Sequence, residues 1–363
     1  MHDQTSAVSA NASDGPSAMP EVVRHRPVFS GQTGEYFGIW FVNLLLSIVT
    51  LGIYSAWAKV RTERYFYGST TLAGSSFEYL ADPIAILKGR LIAYAAVIAL
   101  GVSSRFSPGL YAVLLLALFA LMPMIIVLSL RFRARNSAWR GLTFRFDRGI
   151  GAAYGPFMGW AILSGITASL LYPLMKLRQH DFVVGGHGFG RKRFSFAGDS
   201  SKYYNPYLIA AGAGIVTMVV FFASLTALTL GAKGGTPGPR LMTGIVVAVL
   251  VFYVGLFAIG IFLRVRYNNL LWNNSQMEGH RFESSQRVRD MLWIYASNLV
   301  AILCTVGLAV PWAMTRLARY RAAHFQIAVA GSIEDFAADA QAQHGAAGAE
   351  LVDALDFGLD IGF

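Results

Sequence analysis

One signature is written three times in this 363-residue chain, each time across a stretch apolar enough to enter a membrane. A shift of 255 positions carries Asn43, Thr50, Gly52, Trp57, Arg61, Arg64 and Tyr65 onto Asn298, Thr305, Gly307, Trp312, Arg316, Arg319 and Tyr320. A shift of 117 carries Phe29, Gly34, Thr50, Lys59, Arg61 and Phe77 onto Phe146, Gly151, Thr167, Lys176, Arg178 and Phe194. A further match, at 133, carries Arg131, Arg133 and Asn136 onto Arg264, Arg266 and Asn269. Internal repetition constrains architecture more than any local motif does.

The repeated stretches belong to seven uncharged runs: 36–58, 91–104, 108–130, 154–175, 207–232, 241–263 and 291–314. Several reach the roughly 20 residues that cross a bilayer as a helix. Charged residues make up only 14% of the chain, against about 25% in a soluble domain. The single cysteine, Cys304, excludes an intramolecular disulfide and a cysteine-based metal cluster. Residues 1–27 lack the basic start and apolar core of a signal peptide and read as a disordered tail. Residues 330–363 carry seven acids and no Lys or Arg, and read as a second, acidic disordered tail.

The body between the tails holds 28 basic residues, which flank the apolar runs. That placement points to a membrane surface and away from nucleic acid. Seven simple crossings would export at least eleven of these cations. If runs two–three and five–six are hairpins, and runs one, four and seven leave and return on the cytoplasmic side, only Arg105, Lys233 and Arg240 lie outside. Thr50-Leu51-Gly52 and Thr305-Val306-Gly307 are then breaks in re-entrant or interfacial elements. The apolar lengths of 36–58, 154–175 and 291–314 favour instead full spans kinked at glycine and proline. Both arrangements remain open at this level. Period-two aromatics beside glycine, as in Gly74-x-x-Phe77-x-Tyr79 and Phe194-x-Phe196-x-Gly198, predict short cytoplasmic β-hairpins.

Polar side chains at depth are few: Asn43, Thr50, Thr167, Asn298 and Thr305 are candidates for a polar path, or for hydrogen bonds between helices. Trp57 stands one helical turn before Arg61, and Trp312 one turn before Arg316. With Arg64, Arg178 and Arg319 these form candidate interface anchors or lipid-headgroup contacts, in which guanidinium forks a phosphate beside an aromatic wall. The seven histidines show no metal-ligand spacing, and no nucleophile–base constellation is recognisable. No cofactor, metal or catalytic residue is therefore expected, and the chain does not read as an enzyme.

The string Thr50-Leu-Gly-Ile-Tyr-Ser-Ala-Trp-Ala-Lys-Val-Arg-Thr-Glu-Arg-Tyr65, with Phe29-Ser-Gly31 before it and Gly74-x-x-Phe77-x-Tyr79 after it, resembles the YjgN-like bacterial inner-membrane proteins, a family of unknown function. The resemblance runs over roughly residues 28–330. Its second copy departs at Leu174, where Trp57 aligns, and at Asp181, where Arg64 aligns. The resemblance implies an integral, multi-pass inner-membrane location and supplies no substrate or catalytic residues.

The fold expected is an all-α polytopic membrane protein with a three-segment internal repeat and short cytoplasmic β-hairpins. Unit one is residues 28–143, unit two 144–281, and a partial third 282–329, with both tails cytoplasmic. Two functions are expected in parallel. One is a channel or transporter for a small solute, since transporters place sites at repeat interfaces. The other is a non-transporting anionic-lipid-binding or scaffold protein. The partners expected are the lipid bilayer and anionic lipids, not nucleic acid; a homo-oligomer is left open.

Overall fold

The computed structural model describes residues 22–231 and 238–330. Its framework is a sheet of eleven short strands: β1 (Val22–His25), β2 (Val28–Phe29), β3 (Thr70–Leu72), β4 (Ser75–Tyr79), β5 (Ser137–Trp139), β6 (Leu142–Phe146), β7 (His187–Phe189), β8 (Lys192–Phe196), β9 (Ser275–Met277), β10 (His280–Ser284) and β11 (Phe325–Ala330). They follow the order β1-β11-β10-β9-β8-β7-β6-β5-β4-β3-β2, and every neighbouring pair is antiparallel. In β4, Phe77 and Tyr79 are more buried than Ser76 and Glu78, the period-two alternation of a half-buried strand. Ala73-Gly74, Arg140-Gly141 and Glu278-Gly279 each take positive φ at both residues (46° and 77°, 52° and 75°, 45° and 86°). These are type I′ turns, whose twist matches that of the strands they join.

The two edge strands of this order, β1 and β2, are separated in sequence only by Arg26 and Pro27. Three Cα steps span at most about 11 Å, whereas a flat eleven-stranded sheet would hold its edges roughly 48 Å apart. The sheet must therefore curl back on itself. The packing agrees: Leu72 of β3, Trp139 of β5, Phe189 of β7, Met277 of β9 and Val329 of β11 share one buried cluster. The ring of strands leaves about 390 Å³ inside that its own side chains do not fill.

Five helical excursions leave the ring and return to it. They are α1 (Thr33–Val49) with α2 (Ser55–Gly68), and α3 (Pro83–Phe106) with α4 (Pro108–Arg135). Next come α5 (Ile150–Tyr154) and α6 (Trp160–Ile166), joined by a π-helical turn, with α7 (Tyr172–Gly186). The last two are α8 (Ser200–Gly231) with α9 (Pro239–Asn273), and α10 (Val288–Cys304) with α11 (Val310–Ala323). Among the described residues, four helices are long and apolar enough to cross a membrane: α3, α4, α8 and α9. The 17 residues of α1 and of α10 reach roughly 26 Å, short of a hydrocarbon core about 30 Å thick. Each excursion joins strands that pair antiparallel or lie in the same small ring. All five therefore start and end on one side, with β1 and β11. The outer limbs meet across the chain ends: the Thr33 and Thr315 hydroxyls lie 2.8 Å apart, Tyr36 donates to Met314 Sδ at 3.3 Å, and Arg319 donates to the Gly31 carbonyl at 3.2 Å.

Three expectations are corrected here. The protein is not all-α, because the aromatic–glycine segments do not stay as isolated hairpins. Their unpaired edges find one another across the helical excursions, as β4 with β5 and β6 with β7, and build one large sheet. The three-segment repeat is not the unit of the fold: the expected boundaries after residues 143 and 281 fall inside β6 and β10, and strand pairing runs across both. The assigned N-terminal tail also contributes structure, because Val22–His25 pair with Ile327–Ala330. Residues 1–21 and 331–363, the rest of both assigned tails, lie outside the described residues, as do 232–237 with Lys233.

Gly279 sits at φ +86°, and a Cβ there would meet no atom within 4 Å. The cost of a side chain is then conformational alone. Gly279→Val should destabilise the protein by about 1–2 kcal/mol, read as a lowered unfolding midpoint. An unchanged midpoint would mean that the β9–β10 hairpin opens without the rest of the ring.

Candidate functional site

The three short excursions are broken by one kind of turn. Leu51 and Gly52 take φ 51° and 90°, Ala168 and Ser169 take 49° and 70°, and Val306 and Gly307 take 50° and 93°. The threonine before each pair holds the turn. Thr50 Oγ1 donates to Leu46 O at 2.7 Å and accepts from Tyr54 N at 3.0 Å. Thr305 Oγ1 donates to Ala301 O at 2.7 Å and accepts from Ala309 N at 2.9 Å. Thr167 Oγ1 donates to Leu163 O at 2.8 Å and accepts from Leu171 N at 3.4 Å. The hydroxyls thus serve the local backbone. Leu51 and Val306, 94% and 93% exposed, put apolar side chains at the tips.

The asparagines tie the two limbs of a hairpin together. Asn43 Nδ2 donates to Ala58 O at 3.3 Å, and Asn298 Nδ2 to Ala313 O at 3.4 Å. Their carbonyl oxygens differ. Asn298 Oδ1 accepts from Arg316 at 3.1 Å, whereas Asn43 Oδ1 is buried without a partner. The equivalent cation, Arg61, is exposed instead.

Arg316 is the best-defined candidate side chain. Its guanidinium lies 4.9 Å over the Trp312 ring, and one terminal nitrogen donates to Ser297 Oγ at 2.7 Å as well as to Asn298. That nitrogen has two protons and both are committed. Nε and the other terminal nitrogen are left to meet an incoming anion. Arg316 and Arg319 line a pocket of about 490 Å³ with Thr33, Trp293, Trp312 and Thr315, at the seam where α1 meets α10 and α11. The same arginines and Trp293 also line a larger groove, walled on its other side by Val254 and Phe257 of α9.

The structure thus brings Trp312, Arg316 and Arg319 together and leaves the other anchors apart. Trp57 stacks on Tyr54, with ring centroids 6.3 Å apart, and Arg64 donates to Tyr79 O at 3.4 Å. Arg178 lies 6.0 Å from the Trp160 ring. The aromatic partner missing at Leu174 is thus supplied from the opposite limb. Sequence reasoning missed Ser297, Thr33 and Thr315. Ser297 aligns with Val42, so the repeat carries no signal for it, and Thr33 meets Thr315 across 282 positions.

His180 was also missed. Its Nδ1 lies 2.6 Å from the Tyr203 hydroxyl, and its ring stands edge-to-face against Phe196. Burial, with Lys176 nearby, pushes its pKa down to about 4.

Four long apolar helices rising from a closed ring of strands fit a multi-pass membrane protein. The chain belongs to the family described as "Bacterial protein of unknown function (DUF898)", whose profile matches residues 24–354. It is similar to "Inner membrane protein YjgN" of Salmonella typhimurium strain LT2, 25% identical over 348 residues, or 84% of this chain and 88% of that protein. It is similar to the protein of the same name from Escherichia coli O157:H7, 26% identical over 267 residues, and from strain K12, 26% over 272. Those matches take in 72% of this chain and 53% of each E. coli protein, so the chain spans about half their length. No solved structure matches.

In the unfolded chain His180 titrates near 6.5, so folding disfavours its proton. Its stabilising contribution is complete above about pH 6.5 and is lost as pH falls towards 4. The unfolding midpoint should drop across that interval, and drop less in His180→Gln. Parallel pH profiles for the two proteins would contradict the buried, neutral imidazole.

Proposed function

We propose that the protein is a non-catalytic, anionic-lipid-binding protein of a bacterial inner membrane, with the lipid phosphate held at the α10–α11 seam. The observation that carries this reading is the Arg316 guanidinium stacked on Trp312, beside Arg319, in a pocket continuous with the apolar α9–α10 groove. The aromatic face orients the cation, and its remaining N–H groups match a phosphate's planar, bidentate demand. The groove walls, Val254, Phe257 and Trp293, suit acyl chains. Stacking and the bond to Ser297 hold Arg316 in place before a ligand arrives, which lowers the ordering cost of binding.

The relatives' names support the inner membrane. The basic residues crowd the strand-side ends of the excursions, which favours a cytoplasmic ring under the positive-inside rule. A transporting role drew on Asn43, Thr50, Thr167, Asn298 and Thr305, whose hydrogen bonds close turns and join limbs.

Two cations at an anionic surface are worth about 2 kcal/mol, or about thirtyfold in affinity. Native mass spectrometry with added phosphatidylglycerol should show a loss of that order in Arg316→Gln with Arg319→Gln, while phosphatidylcholine adducts stay the same. Equal phosphatidylglycerol affinity in a folded double variant would overturn the assignment.

A further inference from the structure

The unfilled space inside the ring is walled by aromatic and aliphatic side chains, including Trp139, Phe144, Phe189 and Ile327. Its volume, about 390 Å³, is in the range of small-molecule sites. A second cavity, of about 650 Å³, adjoins it on the helix side, and Phe77, Trp272 and Phe325 wall both. The two thus lie side by side and share those three side chains at their junction.

The second cavity is different in kind. Arg264, Asn268, Gln286 and Arg321 line it. The Arg264 guanidinium lies 5.6 Å over the Tyr295 ring, and Arg321 donates to the Tyr295 hydroxyl at 3.4 Å, so one phenol gathers both cations. No Asp or Glu lines either cavity among the described residues. Arg264 directly follows the uncharged stretch 241–263 of α9, which places it where that helix leaves the apolar phase.

We infer that the ring binds a single-chain anionic amphiphile, a fatty acid or a lysophospholipid. Its alkyl chain lies inside the ring and its carboxylate or phosphate lies at Arg264 and Arg321. The apolar chamber supplies a dry site for one chain and the adjoining chamber a cationic site for its head, and the bilayer is the source of the ligand. The chain then points away from the membrane, opposite to its direction in a leaflet, so binding lifts it out of the lipid phase. This site shares no residue with the Arg316 seam and does not depend on lipid binding there.

The test uses the full chain in phosphatidylcholine nanodiscs, with cis-parinaric acid, a linear fluorescent fatty acid, as the probe. Trp139 and Trp272 in the walls should sensitise its emission. Palmitate and lysophosphatidylglycerol should both compete, and whichever competes better identifies the head; monopalmitoylglycerol, which is uncharged, should compete about tenfold less well. Ile327→Trp and Val184→Trp fill the ring from two elements, and each should weaken the probe about tenfold with the unfolding midpoint retained. Arg264→Gln with Arg321→Gln should abolish the preference for a charged head. Unchanged probe affinity in a folded, filled variant would overturn the proposal, and so would equal competition by the uncharged glyceride. If neither filled variant folds, a diazirine fatty acid should label strand peptides of the wild-type ring; labelling of α8 and α9 alone would overturn it. Arg316→Gln with Arg319→Gln should leave probe binding intact, so failure of the seam and failure of the ring can be told apart.

Discussion

Antiparallel backbone pairing along the curled eleven-stranded sheet is the interaction on which the rest of the molecule depends. Its strands are two to six residues long, too short to be stable as separate hairpins. An open sheet of that size would also expose two edges of unpaired N–H and C=O groups. Joining β1 to β11, and bringing β2 back beside them through Arg26-Pro27, brings those edges together. Because every helical excursion is tethered to the ring at both ends, each must go out and come back. Helix pairs of very different length then stand on one base without a change of side.

That constraint divides the labour among the helices. The four long ones are apolar over most of their surface and little buried by the protein itself, as lipid contact requires. The short ones turn back early, and their polar groups serve the turn: threonine for the backbone, asparagine for the opposite limb. Charge is left for the level where helices feed into strands. Both cation-bearing cavities lie there, one at the α10–α11 seam and one above the ring. Arginine suits that level because its stem packs on apolar walls while its planar head stacks on Trp or Tyr.

The parts of the site that were legible in the sequence are those with local causes. A threonine immediately before a left-handed pair, and a glycine at Gly52 or Gly307, mark a break in any context that demands positive φ. Trp312 and Arg316 are one helical turn apart, so their contact follows from helix geometry. The rest was not legible. Arg178 finds Trp160 on another limb, Thr33 meets Thr315 over most of the chain, and Arg264 and Arg321 converge on Tyr295 from two helices. The repeat pattern misled as well as helped, since similar segments need not be separate structural units when their strands pair with the neighbour.

Read alone, the sequence defined the apolar runs, the breaks at Gly52 and Gly307, the presence of short strand hairpins and the family. Each of these is a property of a few adjacent residues, decided by hydropathy, by residue alternation or by the φ values that glycine permits. Tertiary structure alone decided that eleven strands form one ring, that residue 22 pairs with residue 330, and that an apolar chamber lies beneath a cationic one. Strand pairing carries no local record of its partner: a backbone N–H will bond to any strand of suitable edge. The choice among partners is made only when the whole chain closes and the inward-facing aromatic side chains have a common interior to fill.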